Sequence, residues 1–267
     1  VSLTSSVPVV AVILAAGTSS RFASDTPKQV TKLAKREVVD WAVRAFNRNE
    51  SVTDIVVVTN PQVRDTITNI IDRENYEKVR MILDGGIRRS DSVEAALSAL
   101  ASAGIPREAK ILVHDASRPF VSQQAITDVA AVLDDFTAAV VAAPAREAVV
   151  VTEDSEGRSV VASVPTAQET KEVQSPQGFR FATLMKAHED AVVAAQSQSQ
   201  SQLQGEADEM SLVRAHLPQE RIAVVAGSEH NLAIVTVDDM PLAEAIAKEE
   251  ALATVRQMIS STNFDAK

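Results

Sequence analysis

Cysteine is absent from the 267-residue chain. Disulfides and thiolate metal sites are therefore excluded, and the composition suits a reducing compartment, with the cytoplasm as the expected location. Histidine is scarce. His114, His188, His216 and His230 never fall at a ligand spacing such as HExxH, so any metal is expected on carboxylate oxygen. Only 8 glycines occur, and they form neither the GxGxxG nor the GxxxxGK phosphate-binding loop. Net positive charge is also missing. The formal charge of −10 argues against a protein that coats nucleic acid, which needs a basic face. Finally, the apolar run from Val7 to Ala16 is too short to cross a bilayer and has no basic segment before it, so neither a membrane span nor a signal peptide is expected.

What is present is a balance of 45% hydrophobic and 23% charged residues, enough for a sizeable core. Val9 to Ala16 is continuously apolar, as a parallel strand covered on both faces should be. Short runs of the same kind recur at Asp54 to Thr59, Val79 to Leu83, Lys110 to His114, Ala138 to Ala143 and Arg221 to Val225. Between them, Val38, Trp41, Ala42, Ala45 and Phe46, and then Val93, Ala96, Leu97 and Leu100, fall at helical spacing. This alternation predicts an α/β fold with right-handed crossovers and ligands at the carboxyl ends of the strands. We expect a single domain over 7–260.

Arg146 to Gly178 breaks the rhythm. Ala148 to Thr152 and Ser159 to Ser163 flank a polar EDSEGR turn, which predicts a protruding β-arm over 146–178. A bare apolar ribbon is unstable alone, so a second copy of the chain is expected to cover it in a homodimer. The polar tract Gln196 to Gln202 has nothing to bury and is expected to form a mobile loop. Thr236, with Asp239 three residues on and Pro241 in the first turn, predicts the start of a last helix running to about Ile259.

The chemistry concentrates after the first strand, in Leu14-Ala15-Ala16-Gly17-Thr18-Ser19-Ser20-Arg21-Phe22 and Thr26-Pro27-Lys28-Gln29. Small residues such as Ala15, Ala16 and Gly17 let backbone N–H groups approach phosphate oxygens, while Arg21 and Lys28 can supply full positive charge. A tight turn carrying two solvated cations fits the same residues. Three more segments stand at strand ends: Asp84-Gly85-Gly86-Ile87-Arg88-Arg89-Ser90-Asp91-Ser92, His114-Asp115-Ala116-Ser117-Arg118-Pro119-Phe120 and Gln174-Ser175-Pro176-Gln177.

In this order and spacing, from about Val9 to Ala247, the four segments resemble the cytidylyltransferases that make 4-diphosphocytidyl-methylerythritol from CTP and methylerythritol 4-phosphate. The ribitol-5-phosphate cytidylyltransferases are close relatives. The resemblance implies a Rossmann-like three-layer α/β/α nucleotidyltransferase fold with a mostly parallel sheet. It implies attack by the phosphate of a sugar alcohol on the α-phosphorus of CTP, assisted by Arg21 and Lys28, with release of pyrophosphate. Ala15, Ala16, Gly17, Gly86, Ser92 and Ala116 would meet the nucleotide, although Ser92 at a helix head can equally be an N-cap. Asp115 would hold Mg²⁺, with a turn cap as its alternative. Arg118 would anchor Asp115 or grip the acceptor phosphate, and Ser175 would lie on the acceptor side.

The chain also departs from the family pattern. Ala233 stands where a lysine of an NIK triplet is expected, and Ala167 where the arm carries an arginine that crosses the dimer. Ala148 and Ser175 replace threonines, Ser19 replaces the second glycine of the loop, Phe22 a methionine and Ile87 an acidic residue. The changes concentrate on the acceptor side, with Lys171 and Arg180 as candidates to restore the missing charge. Three readings follow: cytidylyl transfer to methylerythritol 4-phosphate, transfer to another polyol phosphate such as ribitol 5-phosphate, or a catalytically impaired nucleotide-binding paralogue.

Overall fold

The computed structural model describes residues 7–197 and 208–262. The first strand, β1 (Val9–Leu14), pairs in parallel with β4 (Asp54–Thr59) on one side and β6 (Lys110–Asp115) on the other. Val9, Ala11 and Ile13 enter one core while Val10 and Val12 enter the other. Continuous apolarity was thus the signature of a strand buried on both faces. Each such side chain contributes roughly 1.5–3 kcal/mol on leaving water.

The sheet is completed by β5 (Val79–Asp84), β7 (Ala138–Pro144), β10 (Lys171–Arg180) and β11 (Ile222–Ala226), in the order β11-β7-β10-β6-β1-β4-β5. All pairings are parallel except those of β10. One face is covered by α1 (Val38–Arg48), α2 (Arg64–Glu74) and α4 (Gln123–Val132), the other by α3 (Arg89–Ser102), α5 (Phe181–Ser197) and α6 (Glu209–His216). This is the three-layer α/β/α arrangement. A small hairpin, β2 (Lys32–Leu33) with β3 (Arg36–Glu37), packs under α7 (Met240–Thr262). Their shared core takes in Phe22, Leu33, Phe120 and Ile234, so the loop after β1 is pinned by Phe22 from below. The Thr236–Asp239 capping box forms, and a short 3₁₀ turn leads from it into α7.

The arm is narrower than expected. Its hairpin consists of β8 (Val151–Ser155) and β9 (Arg158–Ser163), joined by Glu156 and Gly157 with φ of 55° and 76°. Two positive φ angles suit the right-handed twist of a two-residue hairpin turn, and glycine accepts its share without strain. From Lys171 onward, however, the chain leaves the arm and runs as β10 antiparallel between β6 and β7. Proline is rarely found inside a sheet, yet Pro176 stands within this strand. A register break between Gln174 and Gln177 accommodates it, with a cis Ser175–Pro176 bond. Gly178 is needed here because a Cβ would lie 2.4 Å from Val129 Cγ1 on α4. Most of the Gln196 to Gln202 tract lies outside the described residues; its first two residues end α5.

Candidate active site

The carboxyl ends of β1, β5 and β6 meet around a cavity of about 190 Å³ that Ala16, Gly17, Lys28, Gly86, Ser92 and Asp115 help to line. Six of the expected residues therefore converge. A larger groove of about 660 Å³ runs between α1 and α7, past Trp41 and Phe120, but carries none of them. The close approach of β5, α3 and the β1 loop depends on Gly85, where a Cβ would lie 2.5 Å from Ser92 Oγ and 2.6 Å from Ala16 Cβ. Ser92 is buried in the first turn of α3, one turn past the helix start. It is not the N-cap. Arg88 and Asp91 close that end through a capping box.

The loop after β1 is tied down from outside. Asn60 Nδ2 donates to Ala16 O at 3.0 Å, and Gln29 Nε2 donates to Gly17 O. Ser19 has φ of 56°, a left-handed conformation that costs a non-glycine residue about 1–2 kcal/mol. Lys28 is half-buried and lines the cavity. Burial and the neighbouring Arg21 push its ammonium below the usual lysine range, while Asp115 and Asp239 work against the shift. Arg21 itself is exposed and stands outside the lining. Ala15 and Ala116 are buried, with their N–H groups donated to Val58 O and Leu14 O. Those two positions build the floor and have no backbone donor left for a ligand.

Asp115 ends β6 with a partly exposed carboxylate. Burial opposes its ionisation, but Arg89, His114 and Arg118 together hold it below the usual carboxylate range. Its ion-pair partner is Arg89, with Nε 3.1 Å from Oδ1. Arg89 also pairs with Glu209, the buried first residue of α6. Arg118, expected as a possible anchor of Asp115, instead donates to Asn231 O at 2.7 Å and Val173 O at 3.4 Å. Its Nε and the Asn231 Oδ1 are buried without a hydrogen-bond partner among the described residues.

Ser175 is 1% exposed, so the expected acceptor contact is replaced by a supporting one. The bonding pattern assigns every proton. His114 Nε2 lies 3.0 Å from Arg118 O, which can only accept, so Nε2 carries the hydrogen. Complete burial lowers the His114 pKa to about 4, which leaves Nδ1 unprotonated at neutral pH. Ser175 Oγ donates to Nδ1 at 3.0 Å and accepts the Asp115 N–H at 3.1 Å. Asn231 Nδ2 then ties down Ser175 O at 2.8 Å and Gln174 Oε1 at 3.2 Å. The register break in β10 exposes Ser175 to this role, and a serine supplies the hydroxyl as well as a threonine would.

Sequence reasoning quoted Arg89, His114, Gln174 and Asn231 only as parts of motifs, and passed over Glu209. Their roles depend on contacts that reach across 26 to 120 residues. Of the two candidates for the missing charge, Arg180 is excluded. It pairs with Lys110 at the amino end of β6 and donates to Leu133 O and Asp134 O, far from the carboxyl ends. Lys171 lies opposite Pro144 at the carboxyl end of β7, on the correct side. Ala233 is adjacent to the site, since Ile234 N donates to Ser117 O at 2.8 Å, whereas Ala167 is exposed beyond the arm hairpin.

Comparison with known proteins agrees with this geometry. Residues 9–249 match the family model described as IspD: 2-C-methyl-D-erythritol 4-phosphate cytidylyltransferase. A relative of that name from Bifidobacterium longum is 46% identical over 243 residues, covering 91% of this chain and 81% of its own. A bifunctional ribulose 5-phosphate reductase/CDP-ribitol pyrophosphorylase, Bcs1, from Haemophilus influenzae is 30% identical and is covered over 50% of its length. The crystal structure of 2-C-methyl-D-erythritol 4-phosphate cytidylyltransferase from Thermus thermophilus superposes with a TM-score of 0.62 at 27% identity, covering 91% of this chain and 98% of that one. The fold of the Anaerococcus prevotii 4-diphosphocytidyl-2C-methyl-D-erythritol synthase matches with a TM-score of 0.75 at 22% identity, covering 91% and 96%. With the motifs joined around one cavity and the family model spanning nearly the whole fold, the chain belongs to the 2-C-methyl-D-erythritol 4-phosphate cytidylyltransferase family.

Proposed function

We propose that the cavity at the ends of β1, β5 and β6 is where this cytidylyltransferase transfers CMP from CTP to 2-C-methyl-D-erythritol 4-phosphate. The observation that carries this assignment is the convergence of Lys28, Gly86, Ser92 and Asp115 on one cavity in a chain of this family. An oxygen of the acceptor phosphate bonds to the α-phosphorus as the bond from that phosphorus to the bridging oxygen breaks, and pyrophosphate leaves. The attacking phosphate is already ionised, so no general base and no protein nucleophile are required. Alignment of two anions and stabilisation of the growing charge are the main demands.

Lys28 and Arg21 answer the second demand. Burial and the neighbouring Arg21 lower the pKa of Lys28 against the pull of Asp115 and Asp239, and a triphosphate would help to keep its ammonium charged. The N–H groups of Gly17 and Thr18 are used by no hydrogen bond among the described residues and are free to bind phosphate oxygens. Asp115 fits a magnesium ligand: a hard carboxylate, kept ionised, that would hold the ion together with substrate phosphates. Bound there, Mg²⁺ would supply positive charge at the triphosphate. Arg89 keeps the Asp115 carboxylate compensated meanwhile.

On the acceptor side, Arg118 carries the reading. Its buried, unpartnered Nε is a donor to which a phosphate can restore a bond, worth about 1–3 kcal/mol where a buried group lacks one. The exposed valines of the arm, including Val151, Val161 and Val164, support a homodimer in which a second copy covers that ribbon. No helix among the described residues is long and apolar enough to cross a membrane; we place the enzyme in the cytoplasm on its lack of cysteine.

The decisive measurement is pyrophosphate release from CTP and Mg²⁺ with methylerythritol 4-phosphate, run in parallel with ribitol 5-phosphate. Faster release with the former is expected. Preference for ribitol 5-phosphate would transfer the acceptor assignment to the second polyol. CTP binding without release for either would favour the impaired paralogue.

A further inference from the structure

Position 19 is where the resemblance calls for glycine, and its backbone has the left-handed φ of 56° that glycine adopts freely. A serine in that conformation must be held there by its surroundings. Its hydroxyl is engaged twice, accepting Lys28 N–H at 3.1 Å and donating to Gln29 Oε1 at 2.9 Å. The amide nitrogen of Gln29, a residue only 4% exposed, donates in turn to Gly17 O, and Ser19 O accepts Phe22 N–H at 2.8 Å. The loop is therefore closed on itself from Gly17 to Gln29, with Phe22 seated in the core beneath α7.

This closure also orients the backbone. In a trans peptide the C=O and N–H point in opposite directions. With Ala16 O held by Asn60 and Gly17 O held by Gln29, the N–H groups of Gly17 and Thr18 face away from those anchors. The anchored carbonyls and the free donors therefore lie on opposite edges of the same peptide units.

We propose that Ser19 is a positioning residue of the nucleotide site, whose hydroxyl clamps the Lys28 backbone to the Gln29 side chain and so holds the Lys28 ammonium and the two backbone donors ready for a nucleoside triphosphate. Glycine can take up the same backbone but has no group to reach across the loop. This chain thus exchanges conformational ease at position 19 for a fixed geometry. The inference deepens the CTP reading of the cavity and rests on it.

Two readouts test it on the full chain. In the ligand-free protein, amide exchange at Phe22 and Lys28, the two amides that Ser19 holds, should quicken about tenfold in both S19A and S19G, with α3 amides unchanged. CTP titration should show binding about tenfold weaker in the same variants, and S19N should recover most of it. Asparagine tolerates the left-handed region and carries both an acceptor and a donor. The proposal is overturned if S19G binds CTP within about twofold of the parent, if exchange along the loop is unaltered, or if the variants lose melting temperature without losing CTP affinity. Should the parent chain itself bind no CTP, the nucleotide reading fails, while loop exchange still decides whether the clamp exists.

Discussion

The floor of the site and the arm are both β structure, yet they solve opposite problems. At the floor, β1 and β6 are covered on both faces, and the polar groups at the end of β6 are joined in one chain: Asp115 N–H to Ser175, Ser175 to His114, His114 to Arg118 O. In the arm, every residue of β8 and β9 is exposed, including Val151, Val160 and Val161. A strand in a sealed interior must satisfy its polar groups internally, which makes it rigid. A ribbon in water has no such obligation and draws its order from whatever covers it. Lys28, Gly86 and Asp115 converge beside the covered part, and two of the departures from the family pattern, Ala148 and Ala167, flank the exposed arm hairpin.

That contrast can be broken from the floor. Arg89→Met would leave Glu209 buried without its counter-ion, and a loss of about 3–5 kcal/mol in urea unfolding is expected. A loss under about 1 kcal/mol would mean that α6 adjusts as freely as the arm. Lys28→Ala should lower turnover by roughly 10²–10³-fold at saturating CTP with the melting temperature nearly unchanged; an equal fall in stability would show the lysine to be structural.

The His114 chain makes a prediction in pH. Its folded-state pKa is depressed to about 4, so the folded protein binds fewer protons than the unfolded chain between that value and the ordinary histidine range near 6.5. Stability from this group is full above about pH 6.5 and is lost as pH falls through about 4, on the order of 3 kcal/mol. Urea unfolding at stepped pH should show that slope in the parent and a flatter one in His114→Gln.

The acceptor side yields the smaller effects. Ala233→Lys combined with Ala167→Arg should raise turnover of methylerythritol 4-phosphate about tenfold. An inert double variant would show that the acceptor pocket itself has been rebuilt, with Lys171 as the next residue to replace. On the homodimer proposed above, Val161→Asp should shift the protein toward monomer in light scattering while leaving its melting temperature within a few degrees, because that side chain is 58% exposed in the single chain.

Much of this was readable from the chain alone. The runs starting at Val9, Asp54, Val79, Lys110, Ala138 and Arg221 marked six strands within a residue or two; for the inner strands β1, β4, β6 and β7, burial on both faces leaves a nearly unbroken apolar signature. The helical spacing of Val93, Ala96, Leu97 and Leu100 was equally faithful, and all four are buried. The strand β10 was not readable. Proline and a register break interrupt its alternation, and only the space between β6 and β7 makes Gln174 to Phe179 a buried strand.

The sequence by itself determined the alternation of strands and helices and the strand ends where Lys28, Gly86 and Asp115 lie, since these follow from short-range patterns of burial, while the roles expected of those residues came from the family resemblance. Only the tertiary structure decided what those residues lean on. It paired Asp115 with Arg89 rather than Arg118, sent Ser175 inward to His114, placed Arg180 at the wrong end of the sheet and made Ser19 a tie across the loop. Such partnerships are settled by which strand lies beside which, and that depends on packing between residues far apart in the chain.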